Sequence, residues 1–101
     1  MRTLLSAAVS ITLAAGCQAG WTRRDGAAVD ASRLEQALKV CRVERKLAGL
    51  ERARDERDRG LRQAGSNQAT TQVKEDFAAI ERQVQAEIDA CMQQQGYARK
   101  G

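Results

Sequence analysis

Three cysteines carry most of the chemistry that this 101-residue sequence could perform. Cys17 follows Leu13-Ala14-Ala15-Gly16, small residues at the end of an apolar run, whereas Cys41 and Cys91 lie inside long segments of helical period. None has a Cys-x-x-Cys partner to form a redox couple, and an apolar setting raises a thiol's pKa and dulls its nucleophilicity. There is no His at all. That removes every His-dependent triad, most zinc sites and the commonest general base. No paired carboxylates beside a predicted cleft and no metal-ligand cluster take its place. The chain is not expected to be an enzyme, and neither a cofactor nor a metal is expected.

The residues ahead of Cys17 explain its position. Met1-Arg2 is a short positive region, and residues 3–15 are uncharged, mostly apolar and too few to span a bilayer. Residues 1–16 therefore read as a signal peptide. Their ending resembles the lipobox of bacterial lipoproteins, in which a dedicated signal peptidase cuts before a Cys whose thiol already carries diacylglycerol. The resemblance implies cleavage between Gly16 and Cys17, with lipid on Cys17. Ordinary secretion is the alternative, because Ala14 and Gly16 also satisfy a small-x-small cleavage site. One acyl chain holds a protein to a membrane only marginally, at about 0.8 kcal/mol per buried methylene, and the three chains typical of such lipoproteins hold it stably. Gln18 follows the Cys where an Asp would signal retention in the inner membrane, so the expected address is the outer membrane, facing the periplasm.

Removal of residues 1–16 leaves 85 residues with 16 basic and 13 acidic side chains, a net charge of +3. With one Trp, one Tyr and one Phe, such a chain lacks the bulk for a sizeable core and needs a staple. Residues 18–29 are rich in Gly and small or polar residues without a period, so residues 17–30 read as a lipidated N-terminus and a flexible tether. Trp21 stands out there as an amphipathic ring suited to the headgroup level, or alternatively as a docking residue.

The fold class expected is all-α, an antiparallel helical hairpin over residues 31–95. A first helix, 31–64, starts at a capping box of Ser32 and Glu35, with Asp30 as the alternative cap, and only Gly49 and Gly60 interrupt it. Leu34, Ala37, Leu38, Cys41 and Ala48 share one face, and Val40, Val43, Leu47, Leu50 and Leu61 fall on roughly the opposite one. A single partner helix covers only one stripe. The second is expected to serve as an interaction surface, for an envelope protein or for another copy of the chain. Residues 51–62 are nearly all charged, but acids are interleaved with the arginines and no aromatic is present for stacking, so no nucleic-acid partner is expected.

Gly65-Ser66-Asn67 is the clearest turn signal, and the turn is placed at residues 65–68. In a second helix, 69–95, Ala69, Val73, Phe77, Ile80, Val84, Ile88 and Cys91 form one clean stripe. Gly96 suits the left-handed position just past a helix end, where Tyr97 would pack back on Met92. Residues 96–101 then form a basic tail.

The cysteines and the turn agree with each other. The midpoint of 41 and 91 is 66, inside a turn located from Gly, Ser and Asn alone, so a Cys41–Cys91 disulfide across the hairpin is expected. Two buried thiols, or bonding between chains, are the alternatives. A bond closing a 50-residue loop stabilises by about 4 kcal/mol on chain-entropy grounds. Charge favours the same pairing, since residues 31–64 hold 10 basic and 6 acidic side chains and residues 66–95 hold 2 and 5. The register also sets Phe77 against the charged region of Asp55, where only arginine stems could cover it.

Together Trp21, Gly26, Cys41-Arg42 and Cys91-Met92-Gln93-Gln94-Gln95-Gly96-Tyr97 resemble a class of small proteobacterial lipoproteins without an assigned activity. The resemblance supports the fold and the address and implies no chemistry. A membrane-anchored envelope lipoprotein with a structural or interaction role is the function expected. The alternatives are a peptidoglycan tether, because Tyr97-Ala98-Arg99-Lys100 is similar to the ending through which murein lipoprotein joins the wall, and an exclusion lipoprotein of a conjugative element.

Overall fold

In a computed structural model, residues 20–100 are described. The segment expected as a leader, with Gly16 at the expected cleavage position and Cys17 at the expected lipidation position, lies outside them. The fold is an antiparallel helical hairpin with a short helical elbow at one end. Its elements are strand β1 (Trp21–Arg23), helices α1 (Ala31–Val40), α2 (Val43–Gln63) and α3 (Asn67–Gln94), and strand β2 (Tyr97–Arg99).

Helix α1 is capped by Asp30, the alternative cap, rather than by Ser32. The Asp30 Oδ1 accepts the Arg33 N–H at 3.2 Å, and its carbonyl accepts the Leu34 N–H at 2.9 Å, so Ser32 falls within the first turn. Helix α3 begins at Asn67, two residues earlier than expected, because the Ser66 Oγ accepts the Ala69 N–H at 3.1 Å. Asp30 and Ser66 each satisfy an N–H that the first turn of a helix leaves unpaired.

The expected single helix over 31–64 is two helices. The break falls at neither glycine but at Cys41-Arg42, where Arg42 adopts the left-handed conformation with φ 53°. The Cys41 N–H still reaches the Ala37 carbonyl at 3.0 Å, the Arg42 N–H tightens onto Lys39 at 3.1 Å, and Lys46 donates to the Arg42 carbonyl to begin α2. The turn re-phases the chain. In an uninterrupted helix Val43 would stand about 200° from Cys41. Across the elbow both are buried, at 8% and 3% exposure.

The hairpin is closed by a disulfide between Cys41 and Cys91, with the two Cα atoms 5.7 Å apart. Basic α2 lies on acidic α3 as the charge distribution suggests: Lys46 pairs with Glu87 at 3.0 Å and Arg54 with Glu81 at 3.6 Å. Both pairs are exposed, and such pairs are each worth under about 1 kcal/mol, so they select register more than they add stability. Phe77 sits where the register requires, only 7% exposed although its cover is cationic. The guanidinium carbons of Arg54 and Arg57 stand 5.7 and 4.5 Å from its ring centroid. Nearer the turn, Gly60 allows close approach, since a Cβ there would meet a Val73 methyl at 3.3 Å.

The stretches expected as a tether and a tail contain a two-stranded sheet. β1 pairs antiparallel with β2, with Trp21 opposite Arg99, Thr22 opposite Ala98 and Arg23 opposite Tyr97. Gly96, at φ +93°, makes the reversal from α3 into β2, and its N–H donates to the Gln93 carbonyl at 3.0 Å. The sheet closes the core. Leu34, Ala37, Cys41, Val43, Ile88, Met92 and Tyr97 form one buried cluster, with Trp21, Val29, Leu38, Val84 and Cys91 packed around it.

Candidate interaction surface

Trp21, the Cys41-Arg42 pair and the residues around Cys91 meet at the disulfide end. Trp21 lies on β1 and Cys41-Arg42 makes the elbow. Cys91, Met92 and Tyr97 come from the end of α3 and the start of β2, and Met92 is fully buried. Arg99 ties the sheet to α3. Its guanidinium donates to the Asp89 Oδ1 at 2.6 and 2.9 Å and to the Gln85 Oε1 at 2.7 Å, while its carbon stands 4.9 Å from the centroid of the Trp21 ring. Trp21, placed at the headgroup level by its sequence context, is thus a half-buried part of the fold.

The five residues expected to form one interaction stripe are divided. Val43 and Leu50 are buried at 8% and 4% exposure and belong to the face turned toward α3, which corrects their assignment. Leu61 is half-buried. Val40 and Leu47 remain open, at 58% and 44% exposure, and Ile80 on α3 joins them at 45%. The cause is the elbow: the stripe presumes one continuous helix, and the left-handed Arg42 re-phases α2 relative to α1.

What the elbow creates instead is a groove. Its walls come from both helices, with Leu38, Val43, Leu47 and Ala48 supplying apolar surface around an open volume of about 960 Å³. Charges of both signs border it, Glu35 and Glu44 together with Lys39, Arg42 and Arg45. A smaller hollow of about 300 Å³ lies on the other side of α1, where Arg23, Arg33 and Gln36 face the backbone around Gly96 and Tyr97. The groove was not visible in the sequence, because it exists only where two helices meet at an angle.

Electrostatics at this end is that of structural carboxylates. The Ala27 N–H, bonded to the Asp25 Oδ1 at 2.9 Å, holds the Asp25 carboxyl below its usual range, with Arg23 at 2.6 Å adding to the effect. Glu87 is lowered first by the hydrogen bond from the Gln83 amide and then by Lys46. Neither is buried, so neither has the raised pKa of a poised acid. Among the described residues, no three His, Cys, Asp or Glu side chains come together to hold a metal ion, and no helix is long and apolar enough to cross a membrane.

No protein-family model matches the chain, and comparison with curated proteins and with solved structures likewise finds no match.

Proposed function

We propose that the chain is a small lipoprotein of the bacterial cell envelope, anchored through Cys17 to the outer membrane on its periplasmic side, with an interaction role rather than a catalytic one. The observation that carries this reading is the Cys41–Cys91 bond, which joins a buried member of the core cluster, Cys41, to the half-buried Cys91 packed against it. A domain whose core is built around a disulfide belongs in an oxidising compartment, and export behind a leader ending in Ala14-Ala15-Gly16-Cys17 delivers it to one.

The interaction role rests on the elbow groove. Its apolar lining accepts an apolar side-chain row, and its border of mixed acids and bases fits the mixed flanks of an amphipathic helix from another envelope protein. The peptidoglycan-tether reading loses its free tail, because Arg99 is tied into β2 and the Lys100 N–H donates to the Gly20 carbonyl at 3.0 Å.

Two measurements test the proposal. Intact mass of the membrane-extracted protein is expected to show a chain beginning at a triacylated Cys17, and a soluble periplasmic product with a bare Cys17 overturns the anchor. A photo-crosslinking residue at position 47 is expected to capture a distinct envelope protein. Adducts only with a second copy of the chain, or none at all, overturn the partner assignment.

A further inference from the structure

We propose that the flank of the hairpin marked by Ile80 packs on the same flank of a second copy of the chain, with α2 of each copy against α3 of the other. The surface is separate from the elbow groove, and the pairing rests on the anchor proposed for Cys17, which holds both copies in one membrane.

Two contacts define the flank. Lys46 pairs with Glu87, and a Cβ on Gly60 would meet a Val73 methyl at 3.3 Å. Ala53 and Ile80 lie midway, seven residues from both contacts on their own helices, and seven residues bring a helix back to within about 20° of the same direction. Ala53 and Ile80 therefore stand opposite each other on this flank. Ala53 is too short to cover Ile80, which stays 45% exposed. Buried Leu50 and Phe77 run down the middle of the hairpin, and the Arg54–Glu81 pair marks the other flank. Leu47, seven residues before Arg54, belongs to that other flank, so Ile80 and the elbow groove open on different sides.

Charge identifies the occupant. α2 carries seven basic and five acidic side chains, and α3 carries two and five. Beyond Ala53, the rim of α2 presents Arg45, Arg52 and Arg59 at heptad spacing, all exposed and in no ion pair among the described residues. Glu56 is the acid of that rim, one turn from both Arg52 and Arg59. Beyond Ile80, and within about 60° of it, the rim of α3 presents exposed Asp76, Gln83 and Glu87. A two-fold axis parallel to the helices lays α2 antiparallel on α3 of the second copy. Arg45 then stands beside Glu87 of that copy, Arg52 beside Gln83 and Arg59 beside Asp76, each matched in height to within two residues, about 3 Å. Ile80 of each copy meets Ala53 of the other, a large residue against a small one. An axis perpendicular to the helices would instead set α2 on α2, arginine row on arginine row. Charge selects the parallel axis. That axis keeps both disulfide ends on one side, where two Cys17 anchors can enter the same membrane. Two apolar layers, Ala53 with Ile80 and Gly60 with Val73, make a small interface of the transient class, populated through the effective concentration that a shared membrane provides.

Crosslinking in cells that export the full chain tests the contact, with the Cys17 modification read by intact mass. On oxidation of the membranes, Ile80→Cys is expected to join two copies, with the Cys41–Cys91 bond intact by non-reducing peptide mapping. Leu47→Cys, equally exposed on the other flank, is expected not to. A charge exchange between two differently tagged chains, both carrying Ile80→Cys, tests the register. Arg59→Asp in one chain and Asp76→Arg in the other put like charges together in each homodimer and restore both pairs in the mixed dimer. Its yield is expected to exceed the statistical share roughly fivefold, the scale of two exposed ion pairs. Each chain by itself keeps like charges at 59 and 76, so the preference reports a contact between copies. No crosslink at position 80, equal crosslinking at 80 and 47, or a statistical mixture of tagged dimers overturns this contact and leaves the anchor standing. A product with an unmodified Cys17 overturns the anchor and the contact together.

Discussion

The two ends of the hairpin are built on opposite plans. At the disulfide end, three kinds of constraint overlap on a few residues: a covalent bond, a strand ladder and a core cluster in which Leu34, Ile88 and Met92 are at most 1% exposed. At the turn end the helices meet through Phe77 under two arginines, Gly60 against Val73 and an exposed ion pair from Arg54 to Glu81. Buried apolar area is what stabilises a small fold, and here seven of the nine buried apolar residues belong to the cluster at one end. Position along the long axis should therefore decide the cost of a substitution more than residue type does.

The largest effect expected is loss of the staple. Replacing Cys41 and Cys91 by Ser is predicted to lower unfolding stability by about 4 kcal/mol, a large share of the 5–15 kcal/mol typical of a domain. Denaturant unfolding with and without reductant measures it. A midpoint indifferent to reductant would mean that the sheet and the core hold this end unaided.

Next in size is a contrast within one helix. Met92 and Ile80 are both apolar residues of α3, but Met92 is fully buried at the disulfide end and Ile80, midway along the helix, is 45% exposed. Met92→Ala is expected to cost about 3 kcal/mol, whereas Ile80→Ala should cost under about 1 kcal/mol. Equal losses at the two positions would break the comparison, because they would place comparable packing at the disulfide end and at mid-helix.

The same asymmetry explains what could be read from the sequence. The hairpin, its register and the disulfide were legible because each left a long-range arithmetic trace: the turn at the midpoint of two cysteines, and Phe77 opposite arginines. The elbow left none. A left-handed residue announces itself when it is Gly or Asn, and here it is Arg42, adjacent to a cysteine that the bond holds in place. Missing the elbow misplaced Val43 and Leu50, whose assignment depended on helical phase carried across it. The strands were hidden for a different reason. Three residues are too few to show a period of two, so Trp21-Thr22-Arg23 and Tyr97-Ala98-Arg99 read as parts of a tether and a tail. Of the candidate site, Val40 and Leu47 were found as open apolar positions, while the groove beside Leu47 required the angle between two helices.

The smallest effect concerns acid, and it separates a cross-helix contact from a local one. Glu87 on α3 is lowered from its ordinary 4.5 by Gln83 on its own helix and by Lys46 on α2, whereas Asp25 is lowered from 3.8 by the Ala27 N–H and Arg23 within its own loop. A carboxyl with a depressed folded-state pKa binds its proton more readily when unfolded. Its contribution is therefore present above the unfolded value and is lost as the pH falls through the folded one. Both groups should make the fold less stable as the pH drops below the ordinary carboxylate range, and both are solvent-exposed, so the acid limb should be shallow. Lys46→Met distinguishes them. By carbon-detected titration of the side-chain carboxyls, this variant is expected to move Glu87 upward only part of the way, because the Gln83 amide at 2.8 Å remains, and to leave Asp25 unmoved. A Glu87 pKa that ignores Lys46→Met would show that α2 does not hold its register on α3 through this pair, leaving alignment of the helices to the disulfide and to Phe77.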